Sequence, residues 1–289
     1  MTNALVIGAD SRIGSAVLAR LSADGIEVAG TTRRRQAASD GTFYLDLNRP
    51  LAPDSLPRAG VCLIAAAVTS LQACQREPQA TGRINVDAAV ELATAIADRG
   101  CFTLLLSTNQ VFSGDKAFPG EEEPTRPSNA YGGQKARAEE EILKFAPHTA
   151  VLRLSKVLEA RPPLFVGWRD RLSRSEAVEA FADMVFAPLS LTLTVDVIVR
   201  LLERRQPGIF QASGDEDVTY LAAARMLASR LGAGSALVKS ASAASAPLGF
   251  TVPRNTTLGM ERLKNLLGIE TPSSRSAIDR MLDRVVAGV

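Results

Sequence analysis

Two short, almost uninterrupted apolar runs constrain the fold of this chain most. They are VCLIAAA at 61–67 and CFTLLLST at 101–108, and a helical stretch at about 79–99 separates them. Strands that consist almost entirely of apolar residues are typical of a parallel sheet with both faces covered. Parallel neighbours need a long crossover connection, which the intervening helix supplies. The sequence therefore predicts a βαβ unit inside an α/β domain.

The same alternation continues on both sides of this unit. Further strands are predicted at ALVIG (4–8), IEVAGT (26–31), TFYLDL (42–47), TAVLRLS (149–155) and GIFQAS (208–213), and helices at 12–24 and 194–205. Such alternation favours a Rossmann-type doubly wound parallel sheet. The pattern loosens after residue 156, where Pro-rich RPPLFVGW precedes a helical stretch to about 182. Residues 235–250 suggest an irregular connection, and short helices are expected near 259–267 and 274–287.

Composition excludes several classes of function. The net charge of +2 offers no field that would recruit nucleic acid or an anionic membrane. No apolar run reaches the roughly 18 residues of a membrane span, and the N-terminus lacks the features of a signal peptide. Cys62, Cys74 and Cys101 show no CxxC spacing, which favours a reducing compartment, and we expect a cytoplasmic protein. With His148 as the single histidine, no metal site is expected.

The first strand leads into GADSRIG, where Gly8 and Gly14 stand six positions apart. Small residues in such a loop let the backbone approach a pyrophosphate at the start of the next helix. Ser11 replaces a middle glycine, and we expect it to strain the loop. The candidate cofactor residues here are Gly8, Ser11, Arg12, Ile13 and Gly14. The alternative is an ordinary βα turn without a ligand.

The second strand ends in TTRRR, which bears on the choice of cofactor. An acid near this point would bind the ribose 2′-hydroxyl of NAD, whereas arginine suits the 2′-phosphate of NADP. The segment offers Thr32, Arg33 and Arg34 but no acid, so NADP(H) is predicted in preference to NAD(H). A solvated basic turn is the alternative.

The stretch SNAYGGQKARAEEEI at 128–142 places Tyr131 four residues before Lys135. Positions four apart share one face of a helix, so a phenol and an ammonium group would be neighbours. The acidic run that follows is expected to face water. The pattern allows a catalytic pair or a surface helix that happens to contain both residues.

The ordered pieces resemble the extended short-chain dehydrogenase/reductase superfamily, and within it the dTDP-4-dehydrorhamnose reductase group of sugar-nucleotide reductases. The resemblance spans almost the whole chain and is carried by VIGADSRIG, the DL pair at 46–47, IAAAVTS, LSTNQVFSGD, PSNAYGGQK, VLRLSKV and VPRNTTLGMERLKNLLGI. It implies an NADP-dependent oxidoreductase acting on a keto group of a nucleotide-activated sugar. It also implies an NADP-binding domain over 1–155 with a return segment at about 190–213. A small interleaved C-terminal substrate-binding region would comprise 156–189 and 214–289.

The resemblance also assigns roles to residues. Thr108 would hold the substrate carbonyl, Tyr131 would supply the proton, and Lys135 would lower the pKa of the phenol and hold the nicotinamide ribose. Further cofactor contacts are implied for Tyr131 itself and for Asp46, Leu47, Ala65, Ala66, Ala67 and Ser107. Candidate substrate contacts are Thr69, Gln110 and Trp168.

Two departures from the reductase pattern keep alternatives open. Asn109 and Gln110 replace the acid and the aromatic residue that usually follow the Ser-Thr pair. Trp168 could equally be a core residue on a charged helix, and Glu121–Glu123 are expected to form a solvated loop face.

An NAD(P)-dependent epimerase and a non-catalytic NAD(P)-binding regulatory subunit remain alternatives to the reductase. A homodimer is expected, with the Ala-rich faces at 88–97 and 136–145 as candidate contacts.

Overall fold

The computed structural model describes residues 1–288, and Val289, the last residue of the predicted second region, lies outside the described residues. The chain divides into two compact units. The first unit comprises Met1–Phe112, Glu121–Leu154 and Thr192–Gln211. The second comprises Ser113–Gly120, Ser155–Leu191 and Ala212–Val289. The sequence-based division places 113–120 in the first region, whereas the structure groups this segment with the second unit.

The strands are numbered in chain order. They are β1 Asn3–Ile7, β2 Glu27–Thr32, β3 Thr42–Tyr44, β4 Val61–Ile64, β5 Phe102–Thr108, β6 Thr149–Leu154, β7 Lys156–Leu158, β8 Val178–Phe181, β9 Val185–Phe186, β10 Pro188–Ser190, β11 Gly208–Ala212, β12 Val218–Thr219 and β13 Val238–Ala241.

The α-helices are numbered in the same way. They are α1 Arg12–Ala23, α2 Leu71–Arg76, α3 Pro78–Gly82, α4 Ala89–Ala97, α5 Ala130–Leu143, α6 Pro163–Ser173, α7 Leu191–Arg204, α8 Tyr220–Arg230, α9 Glu261–Leu267 and α10 Ser274–Ala287. A π-helical turn at Arg83–Ala88 joins α3 to α4.

The first unit is built on a seven-stranded sheet in the order β11-β6-β5-β4-β1-β2-β3. Strands β1 to β6 pair in parallel, as the apolar runs predicted. All four residues of β4 and all six of β6 are buried, because helices cover the sheet. The strand order reverses between β1 and β4, and ligands bind at the carboxyl ends of the strands beside such a switch point. The Rossmann-type α/β fold is therefore confirmed.

The predicted strand at 61–67 is too long, since β4 ends at Ile64. The backbone N–H groups of Ala65 and Ala66 both donate to the carbonyl oxygen of Ile7, at 3.0 and 3.1 Å. Two donors on one acceptor interrupt the regular ladder of a strand. The chain thus bends away at this point and brings Ala66 beside the loop that follows β1. The predicted strand at 42–47 is likewise too long, because β3 ends at Tyr44.

The predicted helices needed larger corrections. The stretch at 79–99 is divided into α3, the π-helical turn and α4, and the separate helix α2 precedes it. The helix expected to reach about 182 ends at Ser173, because Ser175 adopts a left-handed φ of 60° and reverses the chain. Residues 178–181 then form β8. The pattern gave no expectation of α8, and the connection at 235–250 contains β13.

The second unit contains short two-stranded pairings rather than a large sheet. Strand β13 pairs in parallel with β8, and β12 pairs antiparallel with β9. Its core is apolar and includes Trp168 of α6, Leu227 of α8 and Ile278 of α10. Across residues 1–288 no helix has the length and apolar character needed to cross a bilayer. The same residues hold no cluster of metal-ligating side chains.

Candidate active site

The loop after β1 has the backbone of a phosphate-binding turn. Gly8 adopts a φ of 85°, and a Cβ at this position would lie 2.8 Å from Cβ of Ala66. A Cβ on Gly14 would lie 2.2 Å from the carbonyl oxygen of Gly8. Gly8 is thus required for its positive φ, and Gly14 is required for its close packing against Gly8.

Ser11 does not strain this loop, contrary to the expectation. Its φ of −76° and ψ of 159° are ordinary extended values. Its hydroxyl accepts the backbone N–H of Gly14 at 3.1 Å and so caps the N-terminus of α1. The middle position of the turn therefore tolerates serine, because the residue there serves as a helix cap and needs no positive φ.

A cavity of about 420 Å³ opens beside this loop within the first unit. Its lining includes eight of the residues predicted from the sequence, which are Gly8, Ser11, Arg33, Asp46, Leu47, Ala66, Ala67 and Thr69. The predicted residues outside the lining are Arg12, Ile13, Gly14, Thr32, Arg34, Ala65, Ser107, Thr108, Gln110, Tyr131, Lys135 and Trp168. The loop after β1 and the segments that follow β2, β3 and β4 thus meet at one cavity, as the switch-point rule requires.

The end of β2 is tied to the phosphate loop. The hydroxyl of Thr31 accepts the backbone N–H of Gly8 at 2.9 Å. The hydroxyl of Thr32 donates to Oδ2 of Asp10 at 3.1 Å, and Nε of Arg34 lies 3.5 Å from the same oxygen. An acid from the loop after β1 therefore reaches the position where β2 itself provides none, and the sequence reasoning missed it.

Tyr131 and Lys135 occupy the first two turns of α5, and both side chains are buried. The side chain of Asn129 caps the helix by accepting the backbone N–H of Gly132 at 2.9 Å. A Cβ on Gly132 would lie 2.0 Å from the carbonyl oxygen of Gln110, so this glycine lets the segment after β5 pack against the start of α5. The prediction of a helix with a shared Tyr/Lys face is confirmed.

Burial dominates the acid–base properties of this pair. It raises the pKa of the Tyr131 phenol well above its ordinary value, and the nearby Cys74 thiol contributes in the same direction. Burial lowers the pKa of Lys135 to about 8, and the Glu139 carboxylate opposes this shift. The pKa of the phenol is thus raised, contrary to the expectation that it would be lowered, because desolvation of Tyr131 is the largest influence on it. At neutral pH the phenol carries its proton and most of the lysine is cationic.

Thr108 is the last residue of β5, and its side chain is buried. Its hydroxyl oxygen accepts the backbone N–H of Gln110 at 3.2 Å. The hydroxyl proton points to Oδ1 of Asn109 at 3.3 Å, a long and therefore weak hydrogen bond. Gln110 is engaged elsewhere, because its Oε1 accepts Nδ2 of Asn129 at 2.8 Å. Gln110 thus supports the start of α5 through both its main chain and its side chain.

A buried ionic network joins α5 to the sheet, and the sequence reasoning did not find it. Oε2 of Glu139 accepts both Nε and Nη2 of Arg153, at 3.0 and 2.8 Å. The hydroxyl of Ser107 donates to Oε1 of the same carboxylate. Nη1 of Arg153 donates to the side chain of Gln211 at 3.2 Å and to the carbonyl oxygen of Glu121 at 3.3 Å.

This network corrects the expectations for Glu139 and Glu121 and bears on the one for Ser107. Glu139 belongs to the acidic run that was expected to face water, yet it is 2 % exposed. Glu121 was expected in a solvated loop face and is 6 % exposed. Ser107, expected to contact the cofactor, uses its hydroxyl on Glu139.

The sequence reasoning also missed Asn85, which lies in the π-helical turn and is buried. Its side chain exchanges two hydrogen bonds with the backbone of Val68, at 2.8 and 2.9 Å. Its Nδ2 also donates to Oε1 of Gln134 on α5 at 2.7 Å. Asn85 thereby ties the cavity-lining loop after β4 to α5. A π-helical turn inside a helix frequently marks a functional position, but periodicity of apolar residues gives no signal for it.

Comparison with known proteins assigns the family. The RmlD substrate binding domain model matches residues 2–287. The chain belongs to the RmlD family. This is the dTDP-4-dehydrorhamnose reductase family of the extended short-chain dehydrogenase/reductases, which confirms the resemblance inferred from the sequence.

Two curated relatives show the range of the RmlD family. A dTDP-4-dehydrorhamnose reductase of Sinorhizobium fredii is 28 % identical over 247 residues, which is 81 % of either chain. The methionine adenosyltransferase 2 subunit beta of Bos taurus is 27 % identical and covers 93 % of this chain and 84 % of its own length. Members of comparable identity thus include a reductase and a protein named as a subunit of another enzyme.

Solved structures share the RmlD-family fold and contain either nicotinamide cofactor. The dTDP-4-dehydrorhamnose reductase of Bacillus anthracis in complex with NADP gives a TM-score of 0.83 at 19 % identity, covering 98 % of both chains. MoeE5 in complex with UDP-glucose and NAD gives a TM-score of 0.82 at 22 % identity, covering 99 % of both chains.

The second unit of this RmlD-family chain has its own cavity of about 350 Å³. Leu164, Trp168, Phe181, Met184 and Tyr220 supply its apolar and aromatic lining. Trp168 is 7 % exposed and stacks edge-on against Phe165, with ring centroids 5.1 Å apart. Trp168 is therefore a core residue, as one of the two alternatives predicted, and its indole also forms part of the cavity wall.

Proposed function

We propose that the chain is an NADPH-dependent reductase that acts on a keto group of a nucleotide-activated sugar, in the manner of a dTDP-4-dehydrorhamnose reductase. The observation that carries the proposal is the arrangement in the first unit. Thr108 ends β5, Tyr131 and Lys135 open α5, and all three are buried in the unit that holds the phosphate loop. Family membership and the reductase relatives support the same activity.

We assign each of the three residues a role that its surroundings support. NADPH, when bound, supplies the hydride to the carbonyl carbon. The hydroxyl of Thr108 exchanges its weak hydrogen bond with Asn109 for one to the carbonyl oxygen. Tyr131 gives its proton to the developing alkoxide, and its raised pKa keeps that proton in place until then. The Lys135 ammonium stabilises the negative charge left on the phenol.

The first-unit cavity has side chains that fit the cofactor. Backbone N–H groups at the start of α1 suit the pyrophosphate, and the Ser11 cap fixes the turn that presents them. Arg33 lines the cavity and suits a 2′-phosphate, which supports NADPH over NADH. Asp46 and Leu47, which follow β3, would line the adenosine end.

The second-unit cavity fits the nucleotide part of the substrate. Its volume suits a planar heterocycle, and an aromatic wall of Trp168, Phe181 and Tyr220 suits stacking on a base. Of the candidate substrate residues, Trp168 supports this role directly. Thr69 lines the first-unit cavity, and Gln110 supports the start of α5, which carries Tyr131. We therefore propose that both act near the keto group of the substrate.

A regulatory subunit without turnover is the second candidate. The bovine relative named as a methionine adenosyltransferase subunit favours it, as do the neutral Asn109 and Gln110 in place of the usual acid and aromatic residue. An epimerase is less well supported, because the arginines after β2 suit NADPH, which a reductase releases and replaces in every catalytic cycle.

The homodimer stays a prediction. Ala88, Ala89, Ala93 and Ala138 lie in the buried core of the first unit, so the Ala-rich faces offered as contacts are already covered.

The deciding experiment measures NADPH oxidation with dTDP-, UDP- and GDP-linked 4-keto sugars. We expect turnover with at least one of them, and Tyr131→Phe should lower kcat by about 10²- to 10⁴-fold. The dissociation constant for NADPH in that variant should stay within about twofold, because the phenol proton serves chemistry and not affinity. Tyr44→Phe is the matched control, since Tyr44 lies on β3 and stacks with Arg35. NADPH binding without turnover on any keto sugar would favour the regulatory subunit instead.

A further inference from the structure

Opposite charges meet at the carboxyl end of β2. The Thr32 hydroxyl and the Arg34 guanidinium both contact Oδ2 of Asp10, at 3.1 and 3.5 Å. The backbone N–H of Arg34 also donates to the Thr32 hydroxyl at 3.1 Å. These contacts fix the Asp10 carboxylate against the last residue of the strand. The side chain of Asp10 keeps 23 % of its surface exposed, so the carboxylate remains accessible to a ligand.

Asp10 and Arg33 face the same cavity. Both belong to its lining, together with Gly8 and Ser11 of the phosphate loop. In a Rossmann-type site, the group at the end of β2 meets the 2′-position of the adenosine ribose. A carboxylate there accepts a hydrogen bond from the 2′-hydroxyl and repels a 2′-phosphate, whereas a guanidinium does the reverse. Here the chain presents both groups.

The two arginines of this corner are not equivalent. Arg34 lies beside Asp10, so part of its charge is offset, and its side chain is 67 % exposed. Arg33 lines the cavity, and within residues 1–288 it forms no ion pair. The positive charge available to a 2′-phosphate therefore comes chiefly from Arg33, and the charge that opposes it comes from Asp10.

We infer that Asp10 is a specificity-determining residue, which accepts the ribose 2′-hydroxyl of NADH and weakens the preference for NADPH that Arg33 provides. This rests on the dinucleotide site of the proposed function. It predicts that the unaltered chain binds both cofactors with a modest preference for NADPH, and that Asp10, which lies in the loop after β1, limits this preference.

The test is equilibrium binding of NADPH and NADH to the purified full chain, followed by the fluorescence of the reduced nicotinamide. Asp10→Asn removes the charge and keeps an oxygen for the Thr32 hydroxyl. We expect it to tighten NADPH binding by about fivefold or more, because a like charge near the 2′-phosphate is removed. NADH binding should weaken by about threefold, since a neutral amide accepts the 2′-hydroxyl less strongly than a carboxylate.

Three further variants make the test specific. Asp40→Asn removes another exposed carboxylate, just before β3, and should change neither affinity, which excludes an effect of net charge alone. Arg33→Gln should weaken NADPH binding by about tenfold and more than Arg34→Gln does. If thermal denaturation shows that Asp10→Asn is not folded, Asp10→Ser serves in its place with the same expectation for NADPH.

The outcomes separate this inference from the proposed function. If both cofactors bind and neither Asp10 variant changes the ratio of their affinities, the role of Asp10 is wrong while the dinucleotide site stands. If neither cofactor binds the unaltered chain, the site and the role of Asp10 are both wrong. A ratio that shifts toward NADPH in the Asp10 variants, and not in Asp40→Asn, supports the inference.

Discussion

At the scale of single residues, two opposed effects determine the pKa of Lys135. Burial removes the water that would stabilise its ammonium group, and Glu139, one helical turn further along α5, favours the charged form. Desolvation is the larger effect, so the pKa falls from 10.5 to about 8. The ammonium is present below this pH and is lost as the pH rises through it. Catalysis that needs the cation must therefore decline on the alkaline side.

We predict that kcat/KM for the keto-sugar falls with an apparent pKa of about 8. Stability should move in the opposite direction. The unfolded lysine titrates near 10.5, so between about 8 and 10.5 the unfolded state binds more protons and the folded state gains stability with rising pH. A pH–rate profile and thermal melts over the same range measure both. Lys135→Arg keeps a charge that does not titrate below about pH 12, so the residual activity of this variant should lack the decline. An unchanged decline in Lys135→Arg would assign it to another group.

At the scale of secondary-structure elements, α5 shows what its sequence could and could not predict. The Tyr131/Lys135 face followed from a spacing of four residues and is confirmed. The same pattern placed every residue of the acidic run at the surface, because three successive glutamates resemble a solvated face. Glu139 is buried since Arg153 of β6 and Ser107 of β5 lie opposite it, and helical periodicity carries no information about such partners. Asn85 escaped notice for a similar reason, because its partners lie on other segments.

The Glu139–Arg153 pair should be far more sensitive to substitution than its exposed neighbours. Glu139→Gln leaves a buried guanidinium without its counter-charge, and we expect it to lower the free energy of unfolding by about 3–5 kcal/mol. Glu140→Gln, one position along the same helix and exposed, should change it by less than about 0.5 kcal/mol. The double variant Glu139→Leu/Arg153→Met should recover most of the loss, because two apolar side chains replace two desolvated charges. Urea denaturation measures all three, and equal effects at 139 and 140 would contradict the buried network.

At the scale of the whole molecule, the sequence predicted the first unit better than the second. Near-continuous apolar strands such as Val61–Ile64 are specific to a covered parallel sheet, so the order of its elements followed directly. Strands of two to four residues, such as β9 and β8, are too short for alternation to be recognised. Helix α8 lies in the Ala-rich run LAAARMLASR, whose small residues give a weak apolar period although Leu227 and Ala224 are buried.

The proposed division of labour between the units predicts two distinct patterns of amide hydrogen exchange. NADPH should slow exchange at the loop after β1 and at 65–70, because those segments line the first-unit cavity. A nucleoside diphosphate such as dTDP, added alone, should slow exchange in α6 and at 179–184, which line the second-unit cavity. Ligand at about 100 times its dissociation constant stabilises the folded state by about 2.7 kcal/mol, so such protection is measurable. If dTDP protects the loop after β1 and leaves 179–184 unchanged, the aromatic cavity does not hold the base. Each ligand is compared with the unliganded chain at the same pH, so differences in intrinsic exchange rate cancel.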